Sequence, residues 1–126
     1  MTESVNSILA RLKRLAKEAG LPGIEESTSY GNLALKVGGK SFVAVKNDET
    51  VVISIPIDHK EHLLTMAPDI YFQTNHYVGW PHLPVRIAAI DDDELKQRLI
   101  DAWTYRAPKK LISAYRAYAF SRASAR

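Results

Sequence analysis

The run Leu33-Ala34-Leu35-Lys36-Val37-Gly38-Gly39-Lys40-Ser41-Phe42-Val43-Ala44-Val45-Lys46-Asn47-Asp48-Glu49-Thr50-Val51-Val52-Ile53-Ser54-Ile55-Pro56 decides the fold. It holds three short segments rich in β-branched residues, separated by two turn signals. With Gly38-Gly39 as a two-residue hairpin loop, Leu35 falls opposite Phe42, Leu33 opposite Ala44 and Lys36 opposite Ser41. A second turn at Asn47-Asp48-Glu49-Thr50 sets Phe42 opposite Ile55, Ala44 opposite Ile53 and Val43 opposite Ser54. The same residues then face inward in both hairpins, which predicts a three-stranded antiparallel meander with one apolar face.

Before this run, Val5, Ile8, Leu9, Leu12, Leu15, Ala16 and Ala19 recur at the spacing of one helical face, with Ser4 or Thr2 as N-cap and Gly20 as the stop. The basic residues Arg11, Lys13, Arg14 and Lys17 lie on its other face, mostly in the half where cations suit the helix dipole. Leu21-Pro22-Gly23 and a polar stretch link the helix to the meander. After it, Pro56 ends the third strand and Asp58-x-x-Glu61 resembles an acidic capping box for a short helix holding Leu63, Leu64 and Met66. Ile70 to Gln73 and Leu83 to Ile90 read as two further strands, joined through Thr74 to Pro81. Asp91 or Asp92 caps a helix with Leu95, Leu99, Ala102 and Trp103 on its face. Pro108 opens a last helix with Leu111, Ile112, Tyr115 and Tyr118 turned inward. The expected class is α+β, an antiparallel sheet packed by helices in the order α-β-β-β-α-β-β-α-α.

The chain has 126 residues, 46% of them hydrophobic and 25% charged, which suits one ordinary globular domain. We expect that domain over 1–118, followed by a basic, flexible tail over 119–126, where apolar periodicity fades. The absence of cysteine removes disulfides, thiolate metal sites and Cys nucleophiles. No basic stretch leads into an apolar block at the N-terminus and no apolar run spans a bilayer, so a cytoplasmic monomer without membrane contact is expected. Charge is uneven. Residues 1–103 carry 11 Lys and Arg against 14 Asp and Glu, whereas residues 104–126 carry six cations, Arg106, Lys109, Lys110, Arg116, Arg122 and Arg126, and no acid. Such an end attracts polyanions or simply solubilises the chain.

Several motifs were weighed for chemistry. Gly38-Gly39-Lys40-Ser41 looks like the end of a phosphate-binding loop, but Ala34 stands where that motif needs its first Gly and a strand follows instead of a helix. His59 and His62 lie three apart near Asp58 and Glu61, without a third metal ligand placed by sequence, so no metal and no cofactor are expected. Glu25 and Glu26 are adjacent and do not converge on one point. No serine elbow or other nucleophile motif is present, and no enzyme is expected. His76, Tyr77, Trp80 and His82 form a loop in which a polar handle sits among rings, suited either to fixing the loop or to lining a pocket with Tyr30 and Trp103. Lys109 and Lys110 stand in the first turn of a helix, where cations oppose the dipole and, with free N–H groups, create an anion-binding spot.

The ordered series Leu21-Pro22-Gly23-Ile24-Glu25-Glu26, Ser29-Tyr30-Gly31, Lys36-Val37-Gly38-Gly39-Lys40, Asn75-His76-Tyr77-Val78-Gly79-Trp80-Pro81, and Asp101-Ala102-Trp103 with Ala107-Pro108-Lys109-Lys110-Leu111 resembles the YjbR/MmcQ-like family. The resemblance runs from the first helix to about Tyr115. It implies a CyaY-like fold and a DNA-binding role through a "double wing" motif, a label that rests on fold. Frataxins share that fold and bind iron through an acidic first helix; here the first helix is basic, which argues against iron. Two readings follow. In the first, Lys36, Lys40, Lys46, Lys109, Lys110 and Arg116 contact DNA phosphates. In the second, the loop of His76, Tyr77, Trp80 and His82, with Tyr30 and Trp103, binds a small molecule or a protein.

Overall fold

The computed structural model describes residues 4–124, with side chains through residue 121. Helix α1 (Val5–Glu18) is followed by strands β1 (Ile24–Ser29), β2 (Asn32–Val37), β3 (Lys40–Val45) and β4 (Thr50–Ser54). Then come α2 (Ile57–Met66), a single 3-10 turn (Asn75–Tyr77), β5 (His82–Arg86), α3 (Asp92–Arg106) and α4 (Lys109–Ser124). The five strands pair antiparallel in chain order. Class, sheet type and the four helices are as expected.

The placement of one strand shifts. The polar stretch after Gly23 forms β1, so four strands precede α2 where three were expected. As an edge strand, β1 keeps Glu25 and Glu26 in solvent, and charges blunt an open edge. Ile70 to Gln73, expected as a strand, contributes one bridge between Tyr71 and Val85. Its residues Ile70 and Tyr71 spend their N–H groups on the Ala67 carbonyl in a turn, so they cannot extend a ladder.

Register also departs from strict alternation. Lys36 does face Ser41, but a bulge between Leu35 and Lys36 then sets Leu35 opposite Val43 and Ala34 opposite Ala44. The β3–β4 pairing is displaced accordingly, with Val43 opposite Ile53 and Val45 opposite Val51. Val43 and Val45 therefore join the core and Ala44, expected inside, turns to the outer face, while Leu33 packs against the core as expected, partly buried.

Helices α1 and α3 cover the inner sheet face, burying Ile8, Leu12, Leu15, Leu95 and Leu99 against Leu35, Phe42 and Ile53. Each such side chain contributes about 1.5–3 kcal/mol. Ser4 caps α1 by accepting from Ser7 N–H. The Gly20 N–H to Lys17 carbonyl and Leu21 N–H to Ala16 carbonyl bonds close the helix at its other end. The other cap candidate, Thr2, lies outside the described residues. Three of the four cations of α1 are tied down, Arg11 and Arg14 on Asp92 and Lys13 on Glu26. Asp91 caps α3 by accepting from Glu94 N–H. Helix α2 begins at Ile57 without a side-chain cap, so the expected Asp58 capping box does not form, and Met66 stays exposed. Helix α4 continues through Ser124, into the stretch expected as a tail. Its Tyr115 hydroxyl donates to the Ala19 carbonyl at 3.0 Å, and the half-exposed Tyr118 lays its ring beside Gly20.

The β2–β3 hairpin tip is pinned by the start of α4. Gly38 and Gly39 have φ of 57° and 80°, and a Cβ on Gly38 would meet the Pro108 ring at 2.8 Å while one on Gly39 meets nothing. Gly39→Ala should cost about 1–2 kcal/mol, the left-handed backbone penalty alone. Gly38→Ala should cost at least about 1 kcal/mol more by urea denaturation, because the proline must also move.

Candidate functional site

Among the described residues no α-helix lines the cavity on the outer sheet face. Because partners in an antiparallel ladder share a face, Asn32, Ala34, Ser41, Ala44, Val52, Ser54 and His82 lie there together. These residues are small or polar, so the face is low. Above it rises the 74–81 segment. Together they enclose an open cavity of about 820 Å³. Its floor includes Ser29, Asn32, Ser41 and Ser54, and its rim is Tyr30, Lys46, His76, Tyr77 and Trp80, with His82 at one end. Among the described residues no Asp or Glu lines it.

Each rim residue has a local cause. Tyr30-Gly31 is the two-residue loop between β1 and β2, closed by the Ser29 to Asn32 pair. Both residues have positive φ, 51° at Tyr30. That conformation suits Asn or Gly, and a tyrosine there costs about 1–2 kcal/mol. Tyr30 is also fully exposed. Tyr30 therefore holds a strained backbone at the mouth of the cavity with no burial of its ring to offset it.

Tyr77 stands edge-on to His76, with centroids 4.8 Å apart, and to His82 at 6.3 Å. The Lys46 ammonium lies 4.9 Å from the Tyr77 ring centroid, a cation–π contact. Trp80 is 61% exposed. The segment is held from beneath by Lys60, which is only 2% exposed and donates from Nζ to the carbonyls of Tyr77 at 2.6 Å and Trp80 at 2.9 Å. Burial pushes the Lys60 pKa down. His82 Nδ1 lies 3.4 Å from Ser54 Oγ, and Ser54 Oγ donates to the Ser41 carbonyl at 3.3 Å. Burial first, then the charges of Arg106, Lys60 and His76, lowers the His82 pKa below its ordinary 6.5.

The structure thus brings Tyr30, His76, Tyr77, Trp80, His82 and Lys46 to one cavity. Trp103 is elsewhere. It is wholly buried under the inner face, where Nε1 donates to the Pro22 carbonyl at 3.0 Å and the ring packs on Tyr115. The remaining cations gather around the other end of β3. Lys36 and Lys40 flank the hairpin tip, and Lys109 and Lys110 follow the proline that packs on it. Arg116, seven residues past Lys109, returns to the same side of α4 about 10 Å further on. Lys46 lies six residues from Lys40, about 20 Å along the strand. His59 approaches Asp101 at 3.8 Å and His62 is exposed. Among the described residues no group of three or more His, Asp or Glu side chains could hold a metal ion, and no helix is long and apolar enough to cross a membrane.

Sequence reading missed Lys60 and the serine floor. Lys60 had a signal, since it shares an apolar helical stripe with Leu63, Leu64 and Ala67. Ser41 and Ser54 fall on the polar face by alternation alone, but nothing in the sequence shows that the 74–81 segment crosses above them.

A family model described as YjbR matches residues 19–105. An uncharacterised protein of Mycobacterium bovis is 38% identical over 53 residues, covering 42% of this chain and 41% of that protein. Uncharacterised proteins of two Mycobacterium tuberculosis strains match with the same figures. The chain spans about two fifths of the length of these curated relatives. No solved structure matches it significantly.

Two outcomes test this site. Lys60→Met keeps the stem but leaves two carbonyls without their donor, and should lower unfolding free energy in urea by about 1–3 kcal/mol. His82 is held neutral in the folded state while the unfolded chain protonates near pH 6.5, so acid favours unfolding. Stability contributed by His82 is full above that pH and falls as pH drops below it. The melting temperature of His82→Gln should therefore fall less than that of the wild type between pH 7 and 5.

Proposed function

Since this chain belongs to the YjbR family, whose model spans both the sheet and the segment that walls its outer face, we propose that it is a DNA-binding module. It contacts phosphates through basic side chains and holds the nucleic acid against that open face. The observation that carries this reading is the composition of the cavity: one lysine, two histidines and three aromatic rings, with no carboxylate among the described residues. A polyanion with flat rings is the ligand that such a surface attracts and does not repel.

The cations assigned to phosphate contact are not spent on ion pairs within the described residues. The ion pairs among the described residues engage Arg11, Lys13, Arg14, Lys96, Arg98 and His59 on the helices. They do not engage Lys36, Lys40, Lys46, Lys109, Lys110 or Arg116. Lys46 also lies over the Tyr77 ring; a cation without an ion-pair partner releases counterions from DNA at little cost in lost internal contacts. Phosphate contacts of this kind orient a strand without selecting its sequence.

A second reading has one observation behind it. A volume of about 820 Å³ also falls in the range of small-molecule sites. The two differ in salt response, because a strand covering several cations has a steep dependence and a small anion a shallow one.

Fluorescence anisotropy with a labelled DNA oligonucleotide at 50–200 mM salt, concentrations of order those at which such slopes are resolved, tests the proposal. Binding should weaken at least tenfold across that range. Lys46→Glu and the Lys109→Glu/Lys110→Glu double variant should each lower affinity by about tenfold, equivalent to ~1.4 kcal/mol. Salt-insensitive binding, or none at micromolar protein, overturns it.

A further inference from the structure

We propose that the cavity on the outer sheet face is a slot for an unpaired base, so that the protein binds single-stranded DNA in preference to duplex. This inference rests on the DNA-binding reading and names the form of DNA that the same face takes.

The first argument is the rings. Tyr30 and Trp80 expose most of their surface at the rim, and neither contributes to the core. Tyr77 is fixed edge-on by two imidazoles and carries the Lys46 ammonium over one face of its ring, leaving Tyr30 and Trp80 as the open ring faces. Rings beside a cation are the arrangement on which bases stack while a phosphate is neutralised. Stacking needs a free base face. A paired base inside a duplex offers none, and sheet platforms of this kind act on unpaired strands.

The second argument is the floor. A serine hydroxyl has one proton, and Ser54 directs its own to the Ser41 carbonyl. With that proton so directed, the contact between Ser54 Oγ and His82 Nδ1 calls for the ring tautomer that carries its proton on Nδ1, one of the two open to a neutral imidazole. In the neutral ring that leaves Nε2 with a lone pair, an acceptor for an N–H on a base edge. In duplex DNA the Watson–Crick edges that carry such N–H groups are occupied by pairing; in a single strand they are free. Asn32 and Ser29 supply further hydrogen-bonding groups on the same floor.

The third argument is size and readiness. The cavity, at about 820 Å³, matches a ligand of drug or nucleotide dimensions, whereas a duplex can only span its mouth. The segment bearing Tyr77 and Trp80 is held in place by Lys60 without any ligand, so no ordering cost is deferred to binding.

The experiment compares three labelled oligonucleotides of equal length by anisotropy at one salt concentration: a mixed-sequence single strand, its duplex, and a single strand with abasic sites through its centre. The single strand should bind at least tenfold tighter than either of the others. Trp80→Ala should cost it about tenfold and change abasic binding less than twofold, with far-UV circular dichroism and the buried Trp103 emission reporting that the fold is intact. Trp80 emission should be quenched by the base-bearing strand and not by the abasic one. If all three oligonucleotides bind equally and all weaken in Lys46→Glu, the base slot is overturned while phosphate-mediated DNA binding stands. If none binds at micromolar protein, DNA binding itself fails and the slot with it.

Discussion

One extra residue in β3 decides which side of the sheet is which. Opposite Leu35 the strand places both Phe42 and Val43, and the bulge reverses the alternation from that point on. Had the strand continued without it, Val43 and Val45 would have faced the outer side and Lys46 would have turned toward the core. Two valines would then have been exposed and an ammonium buried without a partner, a combination costing several kcal/mol. With the bulge, Val43 and Val45 reach the inner face and Ala44 and Lys46 the outer one. The core and the cavity are two consequences of a single change of phase.

The outer face then follows from what is left over. Both large helices are committed to the inner side, where Leu, Ile and Val residues from both layers interlock. The outer positions carry Ser, Ala and Asn, which cannot support a packed layer of their own. Only the 74–81 segment crosses above them, and irregular backbone in that position needs its carbonyls satisfied. Lys60 does this with one side chain. A lysine is the residue that reaches two carbonyls at once while its stem packs among apolar neighbours. The result is a rim of rings held at a fixed height over a low polar floor.

Much of this was legible before any coordinates. The helical stripes of α1 and α3 appear in the sequence because 3.6-residue periodicity over three or four turns is hard to produce by chance. The loop of His76, Tyr77 and Trp80 stood out because its rings fit neither a helical nor a strand period. What stayed hidden has physical reasons. Strand β1 is polar on both faces because it is an edge, so it lacks the alternation that marks a half-buried strand. The bulge has only a weak signature, the adjacent Phe42 and Val43 followed by Val45, which alternation alone reads as one residue in and two out. Trp103 looked like a ring available to a site, yet its indole N–H is spent on the Pro22 carbonyl in the core. Side chains such as Ser41 and Ser54 acquire a role only through the face they share.

The excess of positive charge near the C-terminus takes a different meaning once it is placed in space. Helix α4 begins at the proline that packs on the Gly38-Gly39 tip, so its first cations join Lys36 and Lys40 there. Lys46 stands at the opposite end of the same strand, beside the rings. The cations therefore form two centres joined by β3, and the one at Lys46 stands among the rings of the cavity. A ligand of a few ångströms could use the cavity alone and would leave the cations at the tip without a purpose. A ligand extending about 20 Å along β3 would engage both, with ring contacts fixing it at one end and phosphate contacts orienting it at the other. The spacing of the two centres is thus an argument for a linear polyanion over a compact one, independent of the identity of any single residue.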